Sequence, residues 1–418
     1  MKNLKIGIQN SDFAISLIIQ QVKFQIVWFR EMMKNALEAT EKYAKDNPNL
    51  AVPQKIRVRA KKLVGLFRDY TAPKLSVLNF KGMTRFELGR AIQLFCEVDK
   101  VQDFLRNFGI GMKITLSRFS DVMIITHKDY ATHYVVFGLD SNNNLVVLKN
   151  ITDCTDWAYD SADDRGYDMN HDWTEVILLG KGNKKLVQNT LTHTFDADEG
   201  IAKIHVLKNM FTRFVDIPKS IDVVFEAGDS GNSTPHNGGV KSGNLIFKTK
   251  EDLWDRALKE FSNTTARKEV YQHSSGVKVH LIHDAPKDGK GSDPVSSYSE
   301  NRQATDSQFV SLIWGDQGAR ERYDIIDAGR WRALASNLGI YNGYKYMKID
   351  VELPFKDYEP TMDRSGLKKR NYRLTDENAE VFYKDYIEVI KEVIKSPEAE
   401  WFDKIRDGYN DDVKPVDR

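Results

Sequence analysis

The sequence predicts an α/β protein built as two successive domains, each pairing sheet with helices. Three observations carry that expectation. A long segment near the start spaces its apolar residues at helical intervals, and a series of short alternating or wholly apolar segments between residues 121 and 180 is bounded by turn residues. After Lys181 the composition changes, and a second set of helix and strand signals begins. A chain of 418 residues is ample for two or three cores. The expected division is residues 1–185, residues 186–374 and a C-terminal helical segment over residues 375–418.

Composition narrows the function classes. Lysine plus arginine number 61 against 60 acidic residues, so the chain as a whole has no charge bias toward polyanions. Cys96 and Cys154 are the only cysteines, which excludes a disulfide framework or a cysteine-based zinc site and fits a reducing compartment. No apolar run approaches ~18 residues and the start lacks a signal-peptide pattern, so the reading is a cytoplasmic protein with no membrane partner.

In order, Leu4–Ile8 reads as a short strand and is followed by the turn Gln9–Asp12. The first helix runs from about Ile18 to Tyr43, with apolar Trp28, Phe29, Met32, Met33, Ala36 and Leu37 on its buried face. Glu31 and Asn35 lie four apart on that helix and share a face, where a carboxylate and an amide oxygen suit a water-activating base beside a magnesium ligand. An amphipathic helix with one polar pair is the alternative. The basic stretch Lys55–Arg68 reads as a solvated helix face, with contacts to nucleic-acid phosphates as the other option. Lys74–Leu78 is a strand, followed by Asn79-Phe80-Lys81-Gly82-Met83-Thr84 and a helix from Phe86 to Phe95.

Arg106–Lys113 carries Gly109 and Gly111, which let backbone amides approach a phosphate, and ends on the positive charge of Lys113. Strands are expected over Asp121–His127, Ala131–Leu139 and Leu145–Asn150. A polar loop from Thr152 to Asn170 holds six aspartates whose spacing fits neither a calcium loop nor a zinc signature. Asp172–Gly180 is a further strand. Beyond it, Ile201–Phe214 looks helical, and strands are expected at Ile221–Ala227, Val277–Ile282, Phe309–Trp314 and the stretch ending at Leu353. Thr375–Ile405 reads as an amphipathic helix capped by Thr375.

Several of these segments together resemble the GHKL ATPases, the group containing gyrase, the ninety-kilodalton heat-shock chaperones, histidine kinases and MutL. The likeness is strongest to the microrchidia (MORC) type. It rests on the E-x-x-x-N-A-x-x-A of Glu31–Ala39, on Asn79–Met83, on the lid-like Phe108–Lys113, on Asp172–Gly180 and on Pro360-Thr361-Met362-Asp363-Arg364. In the second of these, the family's aspartate falls on Leu78 or, with a turn one residue shorter, on Asn79, and the motif's first glycine has no counterpart. The resemblance implies a two-layer α+β sandwich of the Bergerat type followed by an α/β transducer domain. It implies bound ATP and Mg2+, with Asn35 as metal ligand and Glu31 orienting the attacking water. Phe108, Gly109, Ile110, Gly111, Met112 and Lys113 would wrap the phosphates. Asn79, Gly82, Met83 and Thr174 would frame the base, an asparagine being able to hydrogen-bond a base edge. Arg364 would reach the terminal phosphate from the second domain. Slow hydrolysis closing a homodimer follows from the same likeness, with DNA or a protein as client. The alternative function is a non-hydrolysing nucleotide sensor or scaffold, for example a phage or bacterial conflict-system component.

Overall fold

The computed structural model describes residues 27–60, 75–92, 113–117, 119, 121–141, 145–179, 195–196, 201–202, 217–218, 220–227, 244–247, 266–274, 276–284, 310–315, 320–326, 336, 347–360 and 367–369. The chain is a mixed α/β protein with one large mixed sheet and few described helices. It divides into two units.

In the first unit, α1 (Val27–Asp46) forms because Phe29, Met32, Met33, Ala36 and Leu37 recur at helical spacing and are all buried. Burying each of the larger ones is worth roughly 1.5–3 kcal/mol, far more than the exposed pairs Lys34–Glu38 and Lys45–Glu41 contribute. The helix stops at Asn47, whose side-chain amide donates to the Tyr43 carbonyl at 2.9 Å, and Pro48 follows. It packs against β2 (Leu75–Phe80), β1 (Lys55–Ala60) and the 3-10 helix Lys113–Ser117.

The large sheet also contains β3 (Asp121–Lys128), β4 (Ala131–Leu139), β5 (Leu145–Asp153), β6 (Trp173–Leu179), β9 (Asp222–Ala227) and β10 (Asn244–Phe247). Its order is β10-β9-β1-β2-β6-β3-β4-β5, with β1 and β9 parallel and the other neighbours antiparallel. Between β2 and the 3-10 helix lies α2 (Arg85–Ile92), and α3 (Thr155–Asp160) and α4 (Ala162–Arg165) follow β5. One sheet face packs Leu78, Phe80, Met123, Ile125, Tyr134, Val136, Trp173, Ile177 and Leu179 with Tyr43, Cys154, Ala158 and Tyr167 into a core. A further two-stranded pair joins β7 (Phe195–Asp196) to β8 (Ile201–Ala202).

Three expectations change. The basic stretch begins as strand β1, not as a helix face: Lys-Ile-Arg-Val-Arg-Ala alternates with a period of two, burying Ile56 and Val58, while Arg57 and Arg59 serve the other side. Those arginines are committed internally, Arg57 to the Gly166 carbonyl and Arg59 beside Glu175. The division near residue 185 fails as well, because β9 and β10, expected in the second domain, extend the first sheet through parallel pairing with β1. The helix expected from Ile201 begins instead as strand β8.

The second unit carries a sheet of order β11-β12-β15-β13-β14, made from Ala266–Gln272, Lys278–Asp284, Met347–Glu352, Val310–Trp314 and Glu321–Ile326 respectively. Its buried apolar residues include Val279, Leu281, Leu312, Ile349 and Val351. A short pair, β16 (Tyr358–Pro360) with β17 (Leu367–Lys369), follows. The strand Leu4–Ile8 with its turn Gln9–Asp12, Phe108–Met112, Arg364 and the helix Thr375–Ile405 lie outside the described residues. Among the described residues no helix is long and apolar enough to cross a membrane.

Candidate functional site

Register places a row of polar residues across the first sheet. Asn79 of β2 stands opposite Thr174 of β6, Thr174 opposite Thr126 of β3, Thr126 opposite His133 of β4, and His133 opposite Asp153 of β5. Cross-strand partners share a face, so the five side chains form one line on the side away from Leu78 and Glu175. At its outer end His133 Nε2 lies 3.8 Å from Asp153 Oδ2.

The inner end of the row is a hydrogen-bonded knot around the turn after β2. Thr174 donates its hydroxyl hydrogen to the Lys81 carbonyl at 2.8 Å, and the Met83 amide donates to Thr126 Oγ1 at 2.7 Å. Thr126 Oγ1 lies 3.0 Å from Thr174 Oγ1 and 3.2 Å from the Trp173 carbonyl. The turn is thus tied to both neighbouring strands. Lys81 holds a φ of 145°, a region that favours glycine, at a cost on the order of 1–3 kcal/mol. Gly82 is required by the fold itself: a Cβ there would overlap the His127 carbonyl. The turn thus places a strained lysine and an obligatory glycine side by side.

Asn79 is 6% exposed, and among the described residues its amide has no hydrogen-bond partner. Its amide atoms are not sealed from solvent, so they are open to water or a ligand. Leu78, the alternative to Asn79 in the sequence reading, faces the opposite side and belongs to the apolar core.

On α1, Glu31 is buried and Asn35 is exposed. Glu31 Oε1 lies 3.6 Å from the guanidinium of Arg30, itself buried. Lys113 is fully buried, and its ammonium donates to the Ala91 carbonyl in the last turn of α2 at 3.4 Å, a position where a cation complements the helix terminus. Through α1, which touches both β2 and the 3-10 helix, the structure brings together the elements carrying Glu31, Asn35, Asn79 and Lys113. Thr174, Gly82 and Met83 meet at the turn. Phe108, Gly109, Ile110, Gly111, Met112 and Arg364 are outside the described residues.

Behind the row, on the core face, Glu175 is completely buried. It accepts from Arg165 at 2.7 and 2.6 Å and from Ser76 at 2.6 Å, also accepts from the Tyr167 hydroxyl, and has Arg59 at 3.6 Å. Burial alone would raise its pKa, but the Arg165 guanidinium and then Arg59 outweigh it and hold the carboxyl at about 2. The network fixes β1, β2, β6 and α4 together behind the site.

Sequence reasoning missed Thr126, Lys81 and the His133–Asp153 pair as members of this arrangement. Their signal is register, which places Thr126 opposite Thr174 and which hydrophobic alternation alone does not supply. No family model matches the chain, and no curated protein matches it.

Proposed function

We propose that the first unit binds Mg-ATP and hydrolyses it slowly, as a GHKL-type sandwich of the MORC kind followed by a transducer domain, with closure of a homodimer as the output. The observation that carries the reading is the position of Asn79 beside the knotted turn, with an amide that is not sealed from solvent, on a strand packed against the helix that holds Glu31 and Asn35. An amide open to a ligand at the position expected for the base contact fits a purine ring. Asn35, exposed on α1, would supply one oxygen to the magnesium ion accompanying the triphosphate. Such an ion takes most of its ligands from phosphates and water, so it needs no dedicated protein cluster, and none is present among the described residues. The bound ion would neutralise charge on the phosphates. Glu31 would orient the attacking water from the buried side of α1. For closure to follow, ATP must bind the closed form more tightly than the open one.

A second reading, a nucleotide sensor without turnover, is favoured by one feature: the Arg30 guanidinium, 3.6 Å from Glu31, competes with water for that carboxylate. A phosphate-release assay on the full chain and on Glu31→Ala decides between them. The ATPase reading expects measurable release by the wild type and none by the variant, with ATP still bound. Equal release by both removes Glu31 from the mechanism, and ATP binding without release by the wild type establishes the sensor.

A further inference from the structure

The selectivity of the proposed nucleotide site can be derived from the proton inventory of its polar row, an inference that rests on the nucleotide reading above. Each threonine hydroxyl has one hydrogen to give. Thr174 gives its own to the Lys81 carbonyl at 2.8 Å. Thr126 already accepts the Met83 amide, and its hydrogen goes to the Trp173 carbonyl or to Thr174, at 3.2 and 3.0 Å. Neither hydroxyl keeps a donor for a base. Reading the base edge falls to Asn79, 6% exposed, whose amide atoms are not sealed from solvent and are not held by the two threonines.

An amide presents an acceptor and a donor side by side, and a half-turn about its terminal bond exchanges them. Adenine offers an amino donor next to a ring-nitrogen acceptor; guanine offers a carbonyl acceptor next to a ring N–H donor. Asn79 can make two hydrogen bonds to either by choosing its rotamer. A carboxylate in its place is an acceptor only: it can take one amino hydrogen of adenine, or the ring N–H and the 2-amino group of guanine together, so it loses the even hold on both bases that an amide has. We infer that this site takes adenine and guanine nucleotides alike, the amide of Asn79 being what makes it permissive.

The test is equilibrium binding of the imido analogues of ATP and GTP, each with magnesium, to the full chain and to Asn79→Asp. The wild type is expected to bind both within about tenfold. Asn79→Asp is expected to change the ratio of the two affinities by about tenfold or more, because an acceptor-only group no longer pairs donor and acceptor with both bases. A wild-type preference beyond about 100-fold for either base, or an unchanged ratio in the variant, overturns the inference while leaving the nucleotide reading standing. Binding of neither analogue by the wild type overturns that reading as well. Should Asn79→Asp fail to fold, Asn79→Ala serves: loss of affinity for both analogues by a similar factor supports the shared contact, and undiminished binding of both removes it.

Discussion

Glu175→Gln isolates the electrostatic centre behind the site. The substitution keeps the shape of the side chain and removes the charge that Arg165 and Arg59 share, at 2.6 and 3.6 Å, inside a region where Glu175 has no exposed surface. Leaving two guanidinium groups there without their common counter-ion costs about 3–5 kcal/mol at neutral pH. The pH dependence makes the prediction specific. The Glu175 carboxyl titrates at about 2 in the folded chain against an ordinary 4.5. Its folded value is depressed, so its contribution, about 3 kcal/mol, is complete above pH 4.5 and is lost as the pH falls toward 2. By pH 3 about 2 of those 3 kcal/mol are gone, because the unfolded chain has taken up the proton while the folded chain has not. Urea unfolding followed by circular dichroism on both proteins, at pH 7 and pH 3, reads the difference with other carboxylates cancelling. The expected gap is about 3–5 kcal/mol at pH 7 and about 2 kcal/mol less at pH 3. A variant within about 0.5 kcal/mol of wild type at pH 7, or a gap that does not narrow in acid, would refute the reasoning.

Gly82→Ala is expected to destabilise by about 1–3 kcal/mol or more, since the new methyl meets the His127 carbonyl, a backbone atom that cannot swing aside. Lys81→Gly should do the reverse and stabilise by about 1 kcal/mol by relieving the φ of 145°; thermal melts of the pair check both signs. Cys154 is buried, and burial followed by the nearby Asp153 charge pushes its thiol up to about 12. In a Cys96→Ala background, Ellman's reagent at pH 8 should therefore leave the native protein unmodified and titrate one thiol on unfolding; rapid native labelling would contradict this.

Much of the first sheet was legible because its strands are short, apolar and bounded by turn residues. Ala131–Leu139 falls where it was expected, and Asp121–Lys128 and Trp173–Leu179 fall within a residue of it. What escaped depends on contacts distant in sequence. Lys55–Ala60 was misread because its dense basic charge masked the alternation of Ile56 and Val58, and the ion pair that absorbs Arg59 lies on β6. Parallel pairing of β9 with β1 leaves no local mark, so the first sheet's extent was underestimated. At the candidate site, Glu31, Asn35, Asn79, Gly82 and Thr174 are residues that motif order singles out, and the structure places them on α1, on β2 and its following turn, and on β6. The burial of Lys113 against α2, and the use of Thr174 on the Lys81 carbonyl, were not legible, because each is decided by where a neighbouring element sits.

The central claim is that α1 and the turn after β2 close on one nucleotide, and backbone hydrogen exchange on the full chain with and without Mg-ATP tests it most directly. Added nucleotide should slow exchange in α1 around Glu31–Asn35 and at Lys81–Thr84, with little change in the second unit's β11 and β12. Unaltered exchange at both places under saturating Mg-ATP would contradict it.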